Sequence, residues 1–317
     1  MTENLPVPQR KTQTLMKIVR AAGPFLLAQA DTLSETYARH QLRLAEVEAA
    51  KELMVQEART IAEIRKKLID KYVDAAPEDR LHIRRDIDET GKELRRLGIY
   101  QKAVNHLSQS KEKAAQPEDS TNVGDADIAL PWMDRFNEFA RTHNEPWRQE
   151  LLSRALAMEA SQAGAIGPRA LWLIGTLDEP LFHAFAAILD VSSNIGGNYL
   201  VPSFASFAER PIPTCALGTH LHLGNLLFMV SELSLVGDTL TSQTVVPANS
   251  VFLAIYDHRR VQAKTKSEMR ISGVILTPLG LTISRLYEPK ANPLGQEIFD
   301  TWLNSVRGGM IEVLNEI

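Results

Sequence analysis

Starting from Leu33, steps that alternate between four and three residues reach Tyr37, His40, Leu44, Val47, Lys51, Met54, Ala58, Ile61, Arg65, Leu68 and Tyr72. Nine of these twelve positions are apolar. A mean spacing of 3.5 residues keeps one stripe of a helix turned towards a partner helix, as in a coiled coil. His40, Lys51 and Arg65 interrupt the stripe, and long cations can lay their stems along it while their charged ends stay wet. At 1.5 Å per residue, forty-odd residues make a rod of about 60 Å. Such a rod cannot bury its stripe on a small domain and needs a second long helix. The interaction seam is therefore assigned to Leu33, Tyr37, Leu44, Val47, Met54, Ile61, Leu68 and Tyr72.

The periodicity stops near residues 73–76. Pro77 suits the first turn of a new helix, and Glu78 and Asp79 complement its dipole. Ile83, Ile87, Leu94, Leu97 and Val104 again share a face, although Gly91 and Gly98 weaken it by about 1 kcal/mol each relative to Ala. The simplest arrangement is an antiparallel hairpin of residues 31–75 and 77–113. The alternative is that the long helix pairs with its copy in a dimer.

Upstream, residues 1–10 are polar and lack the apolar core of a secretory signal. The N-terminal segment 1–30 contains an apolar stretch interrupted by Lys17, Arg20, Gly23 and Pro24, too broken to span a bilayer. It is read as a short packing helix kinked at Pro24, and a membrane surface is set aside as a partner. Residues 114–129 are polar, acidic and aperiodic, which marks a linker.

Beyond the linker, proline-led helical patterns begin at Pro131, Pro146 and Pro168, and Asp178 precedes a fourth. These define a helical domain at residues 130–207. Residues 208–317 read as a helix from His222 to Gly237, strands at 251–256 and 271–276, and a helix capped by Thr277 with Pro278 at its first position. A final helix spans about residues 295–315. Helix, two strands and helix is the order of a winged-helix-like module. The expected fold is mainly α, with a long N-terminal helical hairpin or coiled coil, a helical domain and a small winged-helix-like α+β module.

The charge is unevenly spread. Residues 1–115 hold 21 Lys and Arg against 17 Asp and Glu, and the rest hold 14 against 22, which leaves a net charge of −4. That balance argues against bulk coating of nucleic acid. A single cysteine, Cys215, excludes an intramolecular disulfide framework and fits a reducing, cytoplasmic compartment.

Two groups of motifs occur together. The first runs from Trp147-Arg148-Gln149-Glu150-Leu151-Leu152 to Ala157-Met158-Glu159, then Arg169-Ala170-Leu171 and Leu177-Asp178-Glu179-Pro180-Leu181-Phe182. The second is Leu235-Val236-Gly237, a strand pair, and Leu276-Thr277-Pro278-Leu279-Gly280-Leu281. Over about residues 130–287 this resembles an uncharacterised group of bacterial helical proteins related to the abortive-infection alpha type. The turn Gly164-Ala165-Ile166-Gly167-Pro168 stands where that group has a Pro-Gly turn. The resemblance implies a fold and an association with phage defence, and it carries over no catalytic residues.

No nucleophile elbow or phosphate-binding loop is present, and Gly196-Gly197 is no phosphate cradle. Cys215, His220 and His222 are the best metal-like group, since alternate residues of an extended segment share a face, but their spacing matches no standard zinc site. Glu159, with Arg154 and Arg169 near in sequence, reads as a structural ion pair that fixes the helix turn. Arg259, Arg260, Lys264, Lys266 and Arg270 crowd the connection 258–270, which reads as a basic loop able to meet phosphates. The first expectation is a non-enzymatic interaction or scaffold protein without cofactor, joined to a protein partner or its own copy through the long helices. The alternatives are a nucleic-acid-binding regulator using the basic loop and a metal-dependent hydrolase.

Overall fold

The computed structural model describes residues 38–109, 128–212, 217, 221–237 and 243–316, with the backbone alone for 38–50, 108 and 109. The N-terminal segment 1–30 and nearly all of the linker lie outside the described residues, as do Leu33 and Tyr37 of the seam. The chain divides into two compact units, Met1–Gly175 and Thr176–Ile317. This division falls inside residues 130–207.

In the first unit, α1 (Ala38–Asp74) and α2 (Pro77–Gln109) are joined by two residues and pack against one another. Pro77 opens α2 with Glu78 and Asp79 in its first turn. From residue 51 onward the least exposed positions of α1 are Lys51, Met54, Val55, Ala58, Ile61, Arg65, Leu68 and Tyr72. They are the seam positions with Val55 added. Opposite them, Gly91 faces the Arg65 guanidinium: a Cβ there would lie 3.6 Å from Arg65 Nε, in ordinary van der Waals contact.

α2 has a second apolar side. Besides Ile83, Leu97 and Val104, it buries Ile99, Tyr100 and Ala103, and every residue from Glu89 to Val104 is at least partly buried. A helix covered on more than one side, even with charged residues among the covered ones, is packed by more than one neighbour. α3 (Leu130–Thr142) and α4 (Pro146–Ser161) pack on this half of α2. Tyr100 meets the edge of Phe136 at 5.8 Å and donates to Asn137 Oδ1 at 2.9 Å. Arg95 Nε donates to the Arg141 carbonyl at 3.0 Å. The hairpin is thus no separate rod behind a linker, because half of α2 is a core helix of the same unit. α5 (Pro168–Thr176) completes it, with Gly175 placed where any Cβ would strike the Phe139 ring.

The second unit begins with α6 (Glu179–Val191) and contains a seven-stranded antiparallel sheet. Its strands are β1 (Ser193–Ile195), β2 (Asn198–Pro202), β3 (Gln243–Val246), β4 (Val251–Tyr256), β5 (Arg259–Thr265), β6 (Met269–Ile275) and β7 (Ile311–Glu316). Their order is β3-β6-β2-β1-β4-β5-β7. Gly196 and Gly197, both at positive φ, form the two-residue turn between β1 and β2. A short connection joins β5 to β6 although they lie far apart in this order, so the sheet curls back on itself. Its concave side holds one core, in which Leu200, Phe252, Val261, Met269 and Ile311 meet Phe299, Trp302 and Leu303 of α9 (Pro293–Val306).

α7 (Leu223–Ser231) and α8 (Pro278–Ser284) meet through a close joint. Val236 bridges Leu276, and Thr277 Oγ1 donates to the Ser234 carbonyl at 2.6 Å and accepts from Gly280 N at 3.0 Å. Gly280 is obligatory for close approach, since a Cβ there would fall 2.0 Å from the Leu235 carbonyl oxygen.

Three expectations are corrected. The molecule is α-rich but mixed, and its sheet is far larger than a two-stranded wing. The stretch 258–270 is no loop. Val261, Ala263 and Thr265 are buried between exposed Arg260, Gln262 and Lys264, the alternation of a strand with one face on a core. The last helix ends at Val306, where Gly308 takes a φ of 86° and the chain turns into β7.

Candidate interaction surfaces

The seam is consumed within the hairpin: Met54 is buried, and Ile61, Leu68 and Tyr72 are partly buried. Leu44 and Val47 lie on α1, but their side chains are outside the described residues. Away from the seam, Ile64, Ile69, Val73 and Leu81 are 42–74% exposed. Ile64 and Ile69 flank the seam in the heptad. The apolar stripe of α1 is therefore wider than one partner helix covers. Towards the tip the hairpin is mostly bathed in water, with Glu63, Lys66, Lys67, Asp70, Arg84 and Arg85 exposed around it.

The basic candidates part company. Arg259 is held by Asp300 and Glu316, with its Nε 2.9 Å from Glu316 Oε1, and its guanidinium lies 5.5 Å from the centre of the Phe299 ring. Burial works against the Arg259 charge, but its bonds to Glu316 and Asp300 outweigh this and raise its pKa. Those same bonds, with Arg307, hold the Glu316 carboxyl below its usual value. Arg270 pairs with Glu268 at 3.1 Å, and Lys266 Nζ donates to the Gly308 carbonyl at 3.2 Å. Arg260 and Lys264 stand on the exposed face of β5, and neither side chain makes a hydrogen bond or ion pair among the described residues.

Of the metal-like group, Cys215 and His220 lie outside the described residues. His222 precedes α7 and directs Nδ1 at the Glu209 carbonyl. Among the described residues no group of three or more His, Cys, Asp or Glu is placed to hold a metal ion.

Glu159 fixes its turn by a different bond from the one anticipated. Its Oε1 accepts from Gly164 N at 2.7 Å and its Oε2 from Ile166 N at 2.8 Å, while Arg154 pairs with Glu150 and Arg169 is exposed. The Ile166 carbonyl in turn accepts from Trp132 Nε1 at 2.8 Å.

Two polar centres were not read from the sequence. At the α3–α4 elbow, Arg148 donates to His143 Nδ1 at 2.5 Å and to Glu145 Oε1 at 2.8 Å. Burial and the Arg148 charge hold the His143 pKa below its ordinary value. In the second unit, Asp190 Oδ1 accepts from Lys290 N at 2.7 Å and from the Tyr287 hydroxyl at 3.1 Å. Burial raises the Asp190 pKa despite these donors. Tyr256 shares its hydroxyl proton between the carbonyls of Asp190 and Asn292, at 3.0 and 2.7 Å, and burial pushes its pKa up to about 12. Both centres tie loops to helix ends; the members of the second lie far apart in the chain, whereas His143, Glu145 and Arg148 lie within six residues but match no recognised motif.

Fold and surfaces together define an α-rich protein with a curled antiparallel sheet, whose notable groups are structural ties and exposed faces. No family model, curated protein or solved structure matches the chain. Among the described residues, no helix is long and apolar enough to cross a membrane.

Proposed function

We propose that this is a non-enzymatic interaction protein of a reducing, cytoplasmic compartment that associates, with its own copy or a protein partner, through the α1–α2 arm. One observation carries the reading: Ile64, Ile69, Val73 and Leu81 stay 42–74% exposed on a hairpin whose seam is already filled. Apolar side chains on both flanks of a paired seam suit a third or fourth helix better than water. Supercoiling of α1 about α2, and a winged-helix-like reading of residues 208–317 built on the helix after His222, the strands at 251–256 and 271–276 and the helix capped by Thr277, belong to this proposal. So does a role in abortive infection or phage defence, which rests on the motif resemblance alone.

The test is the triple variant Ile64→Glu/Ile69→Glu/Val73→Glu, with light scattering and a pull-down, both on the full chain. Wild-type protein forms a dimer or larger complex, or retains a partner, and the variant loses it at an unchanged melting temperature. A wild-type monomer at micromolar concentration that retains nothing refutes the proposal. A second reading, nucleic-acid binding, keeps, of the five basic candidates, Arg260 and Lys264 as cations without a partner among the described residues. A salt-sensitive shift of duplex DNA that those two residues control would favour it.

A further inference from the structure

The convex face of the sheet carries two adjacent rows of unlike chemistry. In the β4–β5 register, Val251 stands opposite Lys264, Leu253 opposite Gln262 and Ile255 opposite Arg260. Directly opposed side chains of an antiparallel pair lie about 5 Å apart on one face. β4 thus presents an aliphatic row beside the cationic row of β5. Val251 is 55% and Leu253 38% exposed, on a strand whose other side, through Phe252, Ala254 and Tyr256, is in the core. Arg260 and Lys264 are four strand residues apart, about 13 Å. Both are free of carboxylate partners among the described residues, whereas the neighbouring Arg259 and Arg270 are paired.

We infer that this face is a docking site for an acidic amphipathic segment of a partner protein. Its apolar side would lie on Val251, Leu253 and Ile255, and its carboxylates would meet Arg260 and Lys264. In a helix, carboxylates seven or eight residues apart share one flank and lie about 10.5–12 Å apart, close enough for their side chains to reach both cations. Gln262 supplies an amide between them. A phosphate-rich surface fits less well. Glu312 lies opposite Lys264 on the β7 side, so the positive strip is narrow and bordered by a carboxylate. Exposed aliphatics would lie idle against a duplex, and the aromatic residues that favour a bilayer interface are missing from the two rows. The inference extends the interaction reading to a second surface and does not depend on the arm.

The test uses full-length protein and two synthetic amphipathic helices of about four turns, with Leu on one face and either Glu or Lys along the flanks. Fluorescence anisotropy at low ionic strength should give the Glu peptide a Kd about ten-fold below that of the Lys peptide. Arg260→Glu/Lys264→Glu should reverse the preference, and Leu253→Asp should weaken both peptides. All three positions are exposed, so the variants should melt as wild type. The arm variant should bind the Glu peptide normally, which separates failure of this inference from failure of the arm proposal. Equal binding of the two peptides, a preference that survives the charge reversal, or stronger Arg260- and Lys264-dependent binding to duplex DNA or phosphatidylserine vesicles would overturn it.

Discussion

Glu159 offers the sharpest check on how the first unit is held together. Its carboxylate is 4% exposed and accepts two backbone N–H groups of the turn between α4 and α5. That turn includes Gly164 at a φ of 82° and carries the fully buried Ile166. A hydrogen bond to a charged group is worth about 1.5–3 kcal/mol net, and a buried donor left without a partner costs about 1–3 kcal/mol. Glu159→Ala removes both acceptors and should cost about 3–5 kcal/mol. Glu159→Gln keeps one acceptor but points an amide NH2 at the other N–H, and should cost about 2–3 kcal/mol. For a unit of this size, 3 kcal/mol lowers the melting temperature by roughly 6–12 °C. Tryptophan fluorescence is the natural assay, because Trp132, Trp147 and Trp172 lie in the first unit and Trp302 in the second. Trp132 also reports on the turn directly, through its bond to the Ile166 carbonyl. With two units the transitions need separate fits. Arg154→Ala and Arg169→Ala should each cost under about 1 kcal/mol, as exposed or locally paired cations do. If Glu159→Gln melts with wild type, or Arg169→Ala costs as much as Glu159→Ala, the turn is held by an ion pair and the reasoning is wrong.

Burial, the largest cause, lowers the pKa values of both His106 and His143 in the folded first unit. The unfolded chain then binds more protons, so this stability is present above pH ~6.5 and is lost as pH falls through the folded values. The urea midpoint of that unit should drop between about pH 7 and pH 5, and a flat midpoint would contradict it. Asp190 has the opposite sign: its raised folded pKa means that its contribution is greatest below the unfolded value and declines as pH rises through the folded one. Asp190→Asn keeps an acceptor for Tyr287 and Lys290 and should be neutral or stabilising at pH 7 by up to about 1 kcal/mol, whereas Asp190→Ala should cost about 2 kcal/mol. Calorimetry of the second unit that ranks these two alike would count against the assigned bonds. Gly280→Ala drives a methyl group into the Leu235 carbonyl and should cost about 2–3 kcal/mol, more than Thr277→Val at about 1–2 kcal/mol. Chemical denaturation that gives the reverse order would show that the α7–α8 joint yields.

Some elements were legible because their signal is local. The seam needs only a 3.5-residue period, and prolines at helix starts and the Thr277 cap need only a few neighbouring residues. β5 was missed for an equally local reason. Arg-Arg-Val-Gln-Ala-Lys-Thr contains the alternation of a half-buried strand, but its charge density drew the reading to a loop. Ile298, Trp302 and Val306 share a helical face, but Ile311 follows after five residues and leaves it, and Gly308 and Gly309 mark the break that the reading of a helix to 315 passed over. The second apolar side of α2 was present in Ile99, Tyr100 and Ala103, yet nothing nearby says which helix covers it.

By itself, then, the chain's order of residues determines where most helices begin, which stripe of α1 is buried and which charges are at hand. Only the tertiary structure decides that Arg259 and Arg270 are paired while Arg260 and Lys264 have no partner among the described residues, that Glu159 serves a turn and not an arginine, and that Val251, Leu253 and Ile255 stand beside a cationic row. The physical reason is reach. Periodicity and capping act over one or two turns, whereas strand order, register and ion pairing depend on residues tens of positions away, brought together by burial of a shared core.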